Sequence, residues 1–439
     1  MLTEKAKLNK ALDIFWPLAI SWLFMSLDTP IISAVIGRMN NPEICLAAHG
    51  GIVVPIALVI EAPIIAMLSA SIALCKDWLN YRKMYRFMMT TCAGLTVIHV
   101  LISLTPLFSL VVRDLMGTPA ELLPYARIGL IIVIPWTWSI GFRRFYQGIL
   151  IRCGYSKQVT IGSMVRVLSL MIVLVLGYVF KDYVSGALVG AAALSAGVIA
   201  EAIYAGVKGI PVAKHFLDHD SKVSIISNTE LASFYIPLVI TQIINFGWVF
   251  IGSAAMNRMI TPIASLAVWP IMSGLLNILK SFGNACNEVT MTILLQPGYY
   301  RSVRKFTFLV AFGSLLVYAL LILTPLKDFW FQTFSALNDE LSVLARNALL
   351  LIFLIPFTNA FLNFYQAILM LNKRTKGILE GLLAFFGMIL GFIGVGIVSQ
   401  KWPGVYVITA GMNFAILVQT IWLRIKSKRF ISQYQSEIV

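Results

Sequence analysis

Two acids in this chain stand two residues before a proline, each inside a long apolar stretch: Asp28-Thr29-Pro30 and Glu61-Ala62-Pro63. Proline has no amide hydrogen, so each frees the carbonyl four residues earlier, on Ser26 and Val59. A carboxylate beside a freed carbonyl is a candidate site for H⁺ or Na⁺, and a kinked helix is a candidate moving part. Asp28 and Glu61 are therefore the candidate cation-coupling residues. A second set of polar groups recurs at helical spacing. Asn277, Lys280, Asn284 and Glu288 fall at i, i+3, i+7 and i+11, on one face of a helix. Gln242 and Asn245 are three apart, and Asn359, Asn363 and Gln366 continue the theme further on. Such side chains either hydrogen-bond a ligand or tie helices together. The stripe from Asn277 to Glu288, with Gln242, Asn245 and Asn363, is the candidate lining of a substrate-binding cleft.

The charged residues in apolar surroundings are few. The bases are Arg127, Arg166, Lys280 and Arg346, and the acids are Asp28, Glu61, Glu201 and Glu288. Each costs about 3 kcal/mol at the centre of a bilayer, so most must pair or line a wet cavity. Arg127 and Arg346 each follow a glutamate (Glu121, Glu340) by six residues, about 9 Å along a helix. Two facing guanidinium groups would suit a carboxylate or phosphate, so both join the candidate cleft. Metal and nucleophile chemistry finds little support. The five cysteines form no CxxC pair and the four histidines no HExxH. His215 and His219 lie beside Asp218 and Asp220 in a hydrophilic loop and are read as solvated.

These residues need a membrane to be costly, and the composition supplies it. Of 439 residues 59% are hydrophobic and only 12% charged, and the mean hydropathy is +0.86. That excludes a soluble globule, a disordered chain and a disulfide scaffold. The net charge of +15 would suggest nucleic acid in a soluble domain; here it fits loops facing anionic lipid, and no nucleic-acid partner is expected. About 20 apolar residues cross the hydrocarbon. Twelve stretches qualify: near 11–37, 44–74, 84–112, 122–150, 158–180, 185–207, 231–257, 262–295, 305–326, 341–370, 376–399 and 403–424. The first is too long for a signal-peptide core and is read as a retained helix. With both termini inside, the inner segments hold 24 Lys and Arg, while each of six outer loops holds one. That asymmetry predicts an inner or plasma membrane location with cytoplasmic termini.

The chain also repeats itself. Pro17-Leu18-Ala19-Ile20 and Arg38-Met39 recur 220 residues later as Pro237-Leu238-Val239-Ile240 and Arg258-Met259. At an offset of 219, Thr105-Pro106-Leu107 recurs at 324–326 and Phe145-Tyr146-Gln147 at 364–366. Each repeat has six spans, so the two enter the membrane in the same sense. The expected architecture is an all-α integral membrane protein: two parallel six-helix bundles, residues 1–218 and 219–439, around a central cleft.

Twelve spans as six plus six, Asp28-Thr29 in the first, Arg144-Phe145-Tyr146-Gln147-Gly148-Ile149-Leu150 closing the fourth with Lys157 beyond, and Ala-Arg at 126–127 and 345–346 together resemble the MATE transporters of the MOP exporter superfamily. The resemblance runs over nearly the whole chain. It implies export of an organic solute in exchange for H⁺ or Na⁺, with the first-helix Asp carrying the coupling ion. Gly51 to Pro63, and Glu340-Leu341 through Arg346 to Pro356, look like the progressive ankylosis branch. That likeness implies export of organic anions such as citrate, nucleotides or pyrophosphate. A lipid-linked saccharide flippase is a further alternative, disfavoured by the balance of four acids and four bases. The expected function is secondary active efflux by alternating access, not catalysis. No GxxxxGK[ST] motif is present for ATP. The expected partners are a small organic solute and membrane lipid, with no cofactor beyond the coupling ion, and the repeat predicts a functional monomer.

Overall fold

The computed structural model describes residues 4–217, 225–296, 298–372 and 374–436. Within hydrocarbon every backbone N–H and C=O must find a partner in its own segment, so apolar runs of this length become helices. Among the described residues ten helices are long and apolar enough to cross a membrane: Glu4–Ile36, Pro42–Leu74, Trp78–Leu104, Ser156–Val179, Gly186–Phe216, Asn228–Met256, Pro262–Ile293, Tyr300–Leu323, Lys376–Ser399 and Gly404–Tyr434. Two bent pairs complete the set, Ala120–Ile132 with Ile134–Arg152 (41°) and Asp339–Leu350 with Ile355–Leu371 (47°). Counted in chain order, with each pair as one span, they are the twelve spans of the sequence reading. The protein is a multi-pass helical membrane protein.

Prolines explain the bends. Pro135 and Pro356 stand at the second residue of the second helix in each bent pair, where they withhold a hydrogen bond from the preceding turn. In the tenth span the displaced amide of Leu354 is taken up by Asn413 Oδ1 at 2.9 Å. The first span also breaks, between Met25 and Asp28. Pro30 cannot donate to Ser26 O, and regular bonding resumes with Ile31 N on Leu27 O at 3.1 Å.

The repeat persists at the level of single bonds. Asn41 (φ 51°) and Thr261 (φ 49°), 220 residues apart, both adopt left-handed backbone just before the proline that starts the next helix. Thr105 and Thr324 close the third and ninth spans identically, each hydroxyl donating to the carbonyl four residues back at 2.6 Å.

The compact units differ from the expected sequential halves of 1–218 and 219–439, whose boundary lies outside the described residues, as does His219. The described residues up to Ile31 group with those from Arg258 onward, and Ile32–Asn257 form the other unit. The first and seventh spans have thus changed places. Each follows its apolar contacts rather than its repeat. Ala11, Phe15 and Ala19 are buried against Ala285, Val289 and Phe306, with the Phe15 and Phe306 rings edge-on at 5.2 Å. In the other unit Tyr235 of the seventh span packs edge-on against Phe87 at 4.9 Å, and its hydroxyl donates to Pro63 O at 2.6 Å.

The second and fourth spans meet at Gly148, where an added methyl would stand 1.8 Å from Ser71 Oγ and 2.7 Å from Leu68 O. Gly148→Ala should therefore cost about 1–3 kcal/mol by overpacking, lowering the thermal unfolding midpoint in detergent. Gly94, which has open space around it, is the control: Gly94→Ala should leave the midpoint unchanged or raise it. Equal midpoints for the two variants would contradict the packing.

Candidate functional site

The unit formed by Ile32–Asn257 contains a buried cluster of charges. Glu201 of the sixth span is only 1% exposed and is surrounded by donors. Arg143 donates to its Oε2 and Arg166 Nε stands 3.5 Å from the same oxygen. Gln147 Nε2 and Ser163 Oγ reach Oε1 at 3.0 and 3.3 Å. The donors come from helical spacing: Arg143 and Gln147 lie four apart on the fourth span, and Ser163 and Arg166 three apart on the fifth. The tight approach of the fifth span depends on Gly162, where a methyl would meet the Tyr204 ring at 3.3 Å.

Glu61 of the second span lies in the same unit and is 2% exposed. Its position contrasts with that of Glu201. Oε2 has no hydrogen-bond partner, and no cation stands within ion-pair distance among the described residues. Arg143 and Arg144 are the charges that act on it at longer range. Arg143 Nε and Arg144 Nε are themselves without acceptors. The cluster thus holds two acids and three arginines, with one acid saturated and one not. The sequence reading missed Arg143 and Arg144: the tally of four embedded bases left them among the inner-loop charges. The signal was available in Arg143 and Gln147, one turn apart within an apolar stretch and therefore on one face.

Asp28, Trp22 and the eighth-span stripe belong to the other unit. Asp28 opens the helix Asp28–Ile36, where a carboxylate is favoured by the exposed amides of the first turn. The break before it is anchored to the eighth span at three levels one heptad apart. Trp22 Nε1 donates to Glu288 Oε1 at 3.1 Å, Ser26 Oγ meets Ser281 Oγ at 2.8 Å, and the Pro30 ring lies against Gly274.

The expected single polar face of the eighth span is accordingly divided. Glu288 turns to the first span. Asn284 turns to the tenth, where its Oδ1 accepts from Asn359 Nδ2 at 3.1 Å and Asn363 Nδ2 at 3.4 Å. Asn359 also donates to Lys280 O at 2.9 Å, and Asn287 donates to Asn363 O at 3.2 Å. Asn284 and Asn363 are thus committed to a helix seam. Lys280 is half-buried and Asn277 exposed. Among the described residues the Lys280 ammonium has no carboxylate within 4 Å.

Arg127 and Arg346 are engaged within their own units. Arg127 Nε donates to Ser103 O at 3.3 Å and its guanidinium lies 5.2 Å from the Phe108 ring centroid. Arg346 pairs with Asp328 at 3.2 Å. Gln242 and Asn245 are half-buried on the seventh span, without hydrogen-bond partners among the described residues. His99 is fully buried and hydrogen-bonded to Thr137 at 2.7 Å. Among the described residues no group of three His, Cys, Asp or Glu could hold a metal ion.

The sequence matches no protein-family model and no curated protein. Solved structures do match. An inward-facing multidrug resistance MATE family transporter of the MOP superfamily is 15% identical, with a TM-score of 0.69 over 97% of this chain and 99% of its own. A MOP superfamily transporter from Pyrococcus furiosus, described as having a binding pocket of reverse polarity, is 16% identical with a TM-score of 0.64 over 98% and 97%. A eukaryotic MATE transporter is 13% identical with a TM-score of 0.61 over 99% and 100%. The chain has the fold of these transporters over nearly its whole length.

Glu201 and Glu61 should respond in opposite ways to loss of charge. Glu201→Gln leaves the buried Arg143 without the carboxylate it donates to and should cost about 3–5 kcal/mol. Glu61→Gln removes a carboxylate that accepts nothing at Oε2 and should cost far less. Unfolding midpoints in detergent would decide; a Glu61→Gln loss as large as that of Glu201→Gln would make Glu61 a structural acid.

Proposed function

We propose that this protein is a secondary active transporter that exports a small organic solute by alternating access, with the proton as coupling ion and Glu61 as the group that carries it. The observation that carries the reading is the state of Glu61: a buried carboxylate at membrane depth whose Oε2 has no hydrogen-bond partner. A charge held there without compensation is costly, and a protein that retains such a group has a use for it in taking up and releasing a proton. Gln242, Asn245, Asn277 and Lys280 support a polar solute pathway, since their side chains are committed to no helix seam. The MATE fold supports the same reading. Asp28 at a helix break is the second candidate for coupling. The transporter works as a monomer in an inner or plasma membrane, with both termini on the cytoplasmic side, and needs no cofactor.

Two observations favour an organic anion over an organic cation as the solute. Lys280 is a half-buried ammonium at membrane depth with no carboxylate beside it. In the buried cluster of the other unit Arg143, Arg144 and Arg166 outnumber Glu61 and Glu201. Both excesses suit a carboxylate or phosphate.

Counterflow in proteoliposomes tests both levels. With ethidium in one panel and citrate and ATP in another, transport should require a pH gradient, and Glu61→Gln should reduce it at least about tenfold while the protein remains folded. Transport driven by a Na⁺ gradient alone, or undiminished in Glu61→Gln, would overturn the coupling assignment. Citrate or ATP transport lost in Lys280→Gln would establish the anion reading; ethidium transport that survives Lys280→Gln would replace it with cation efflux.

A further inference from the structure

A groove of about 820 Å³ opens on the unit that contains residues from Arg258 onward, between the ninth, tenth and twelfth spans. Its floor is aromatic. Phe308 of the ninth span lies 4.9 Å from Phe361 of the tenth, which in turn lies 5.2 Å from Phe357. One end is cationic. Arg304 precedes Phe308 by one helical turn and sits 5.8 Å from its ring centroid. Arg424 and Lys428 are four apart on one face of the twelfth span. Arg304, Arg424 and Lys428 line this one groove together with Tyr300 and Tyr365.

None of these three cations has a carboxylate within ion-pair distance among the described residues. Their immediate neighbours do: Lys305 pairs with Glu4 at 2.5 Å and Lys426 with Glu380 at 2.7 Å. The acids at this end of the unit are thus engaged outside the groove.

The corresponding seam of the first repeat is closed by glycine. Gly206 and Gly209 of the sixth span lie so close to Phe142 and Tyr146 that an added methyl would stand 2.8 and 2.7 Å from the rings. At the repeat offset of 219 residues, Gly206 and Gly209 correspond to Ile425 and Lys428, which line the groove. These side chains cannot make the glycines' approach, and the second repeat stays open where the first is sealed.

We propose that the groove binds an anionic membrane lipid, with its headgroup phosphate on Arg304, Arg424 and Lys428 and an acyl chain over Phe308, Phe361 and Phe357. Guanidinium groups match phosphate in a bidentate fork, and basic pockets between membrane helices hold anionic headgroups. The distance from Tyr365 to Phe357, eight residues or about 12 Å of helix, accommodates much of an acyl chain. A soluble anion would have no use for the aromatic floor, and the ammonium of a zwitterionic lipid would be repelled by the three cations. Ile421 and Ile425 on the rim are 48% and 61% exposed on a membrane span, so the groove is open to lipid.

Native mass spectrometry of the full-length protein in mild detergent tests the proposal, with equimolar phosphatidylglycerol and phosphatidylcholine added. Phosphatidylglycerol should be retained at least about tenfold better. Arg304→Gln/Arg424→Gln/Lys428→Gln should abolish that preference, and Ile421→Trp, which fills the groove but keeps the cations, should reduce retention of both lipids. Equal retention of the two lipids by the unaltered protein would overturn the proposal. So would a preference that survives both variants, displacement of the lipid by sn-glycerol 3-phosphate, which points to a soluble anion, or a dimer that excludes lipid.

Discussion

An ion taken into hydrocarbon must be neutralised, hydrated or used, and the arrangement of this chain follows from how each embedded charge meets that demand. Glu201 is neutralised completely, by four side chains from two neighbouring spans. Its burial fixes the mutual positions of the fourth, fifth and sixth spans, because moving any one would strand an arginine. Glu61 has no such shell. The two acids lie in one unit and share Arg143 as a neighbour, so the contrast does not come from a difference in available bases. It comes from geometry: the fourth span turns Arg143 and Gln147 toward the sixth span and away from the second. Glu201 is held by a full shell of donors, whereas Glu61, buried in the same unit, leaves Oε2 without a hydrogen-bond partner.

Proline and glycine set the local geometry that makes this possible. Each proline at depth removes one helical hydrogen bond, and the chain answers with a break rather than a smooth helix at Pro30, Pro135 and Pro356. At the tenth-span break the amide of Leu354 finds a side-chain partner in Asn413, and Ile352 O accepts from Ile355 N. Glycine acts in the opposite sense, bringing helices close enough for such partners to reach. Gly274 admits the Pro30 ring, Gly148 admits the second span, and Gly283 lets the eighth span touch the backbone at Asn359. The seam that joins the eighth and tenth spans through Asn284, Asn359 and Asn363 depends on that last contact.

Much of this was legible in the residues themselves. Span count and repeat follow from apolar length and internal matches, both of which act locally; the bends before Pro135 and Pro356 were not read from the sequence. The costly acids Asp28 and Glu61 stood out because ionisable groups are rare in such stretches. Two things could not be read from spacing. The division of the Asn277–Glu288 stripe depends on which neighbour each side chain meets. One helical face is wide enough to touch two other helices, so Glu288 can serve the first span while Asn284 serves the tenth. The exchange of the first and seventh spans was hidden for a similar reason: internal repeats report ancestry of sequence, whereas Phe15 and Tyr235 pack wherever their apolar surface is best covered. Arg143 and Arg144 were misplaced because a charge near the end of an apolar run looks like a loop residue until its partner, Glu201, is known to lie 58 residues away.

The exchange has a consequence for how the chain connects its units. The polypeptide crosses from one to the other at two points, between Ile31 and Ile32 and between Asn257 and Arg258. The second crossing lies in the turn after the seventh span. The first lies inside the helix Asp28–Ile36, three residues beyond the acid that opens it. Trp22, Ser26 and Pro30 tie the broken link at Ser26–Leu27 to the eighth span. Asp28 stands at that point, at the exposed amides that open a helix shared by both units. Glu61 lies buried within a single unit. The two acid-x-Pro sites, alike in sequence, thus stand in different settings.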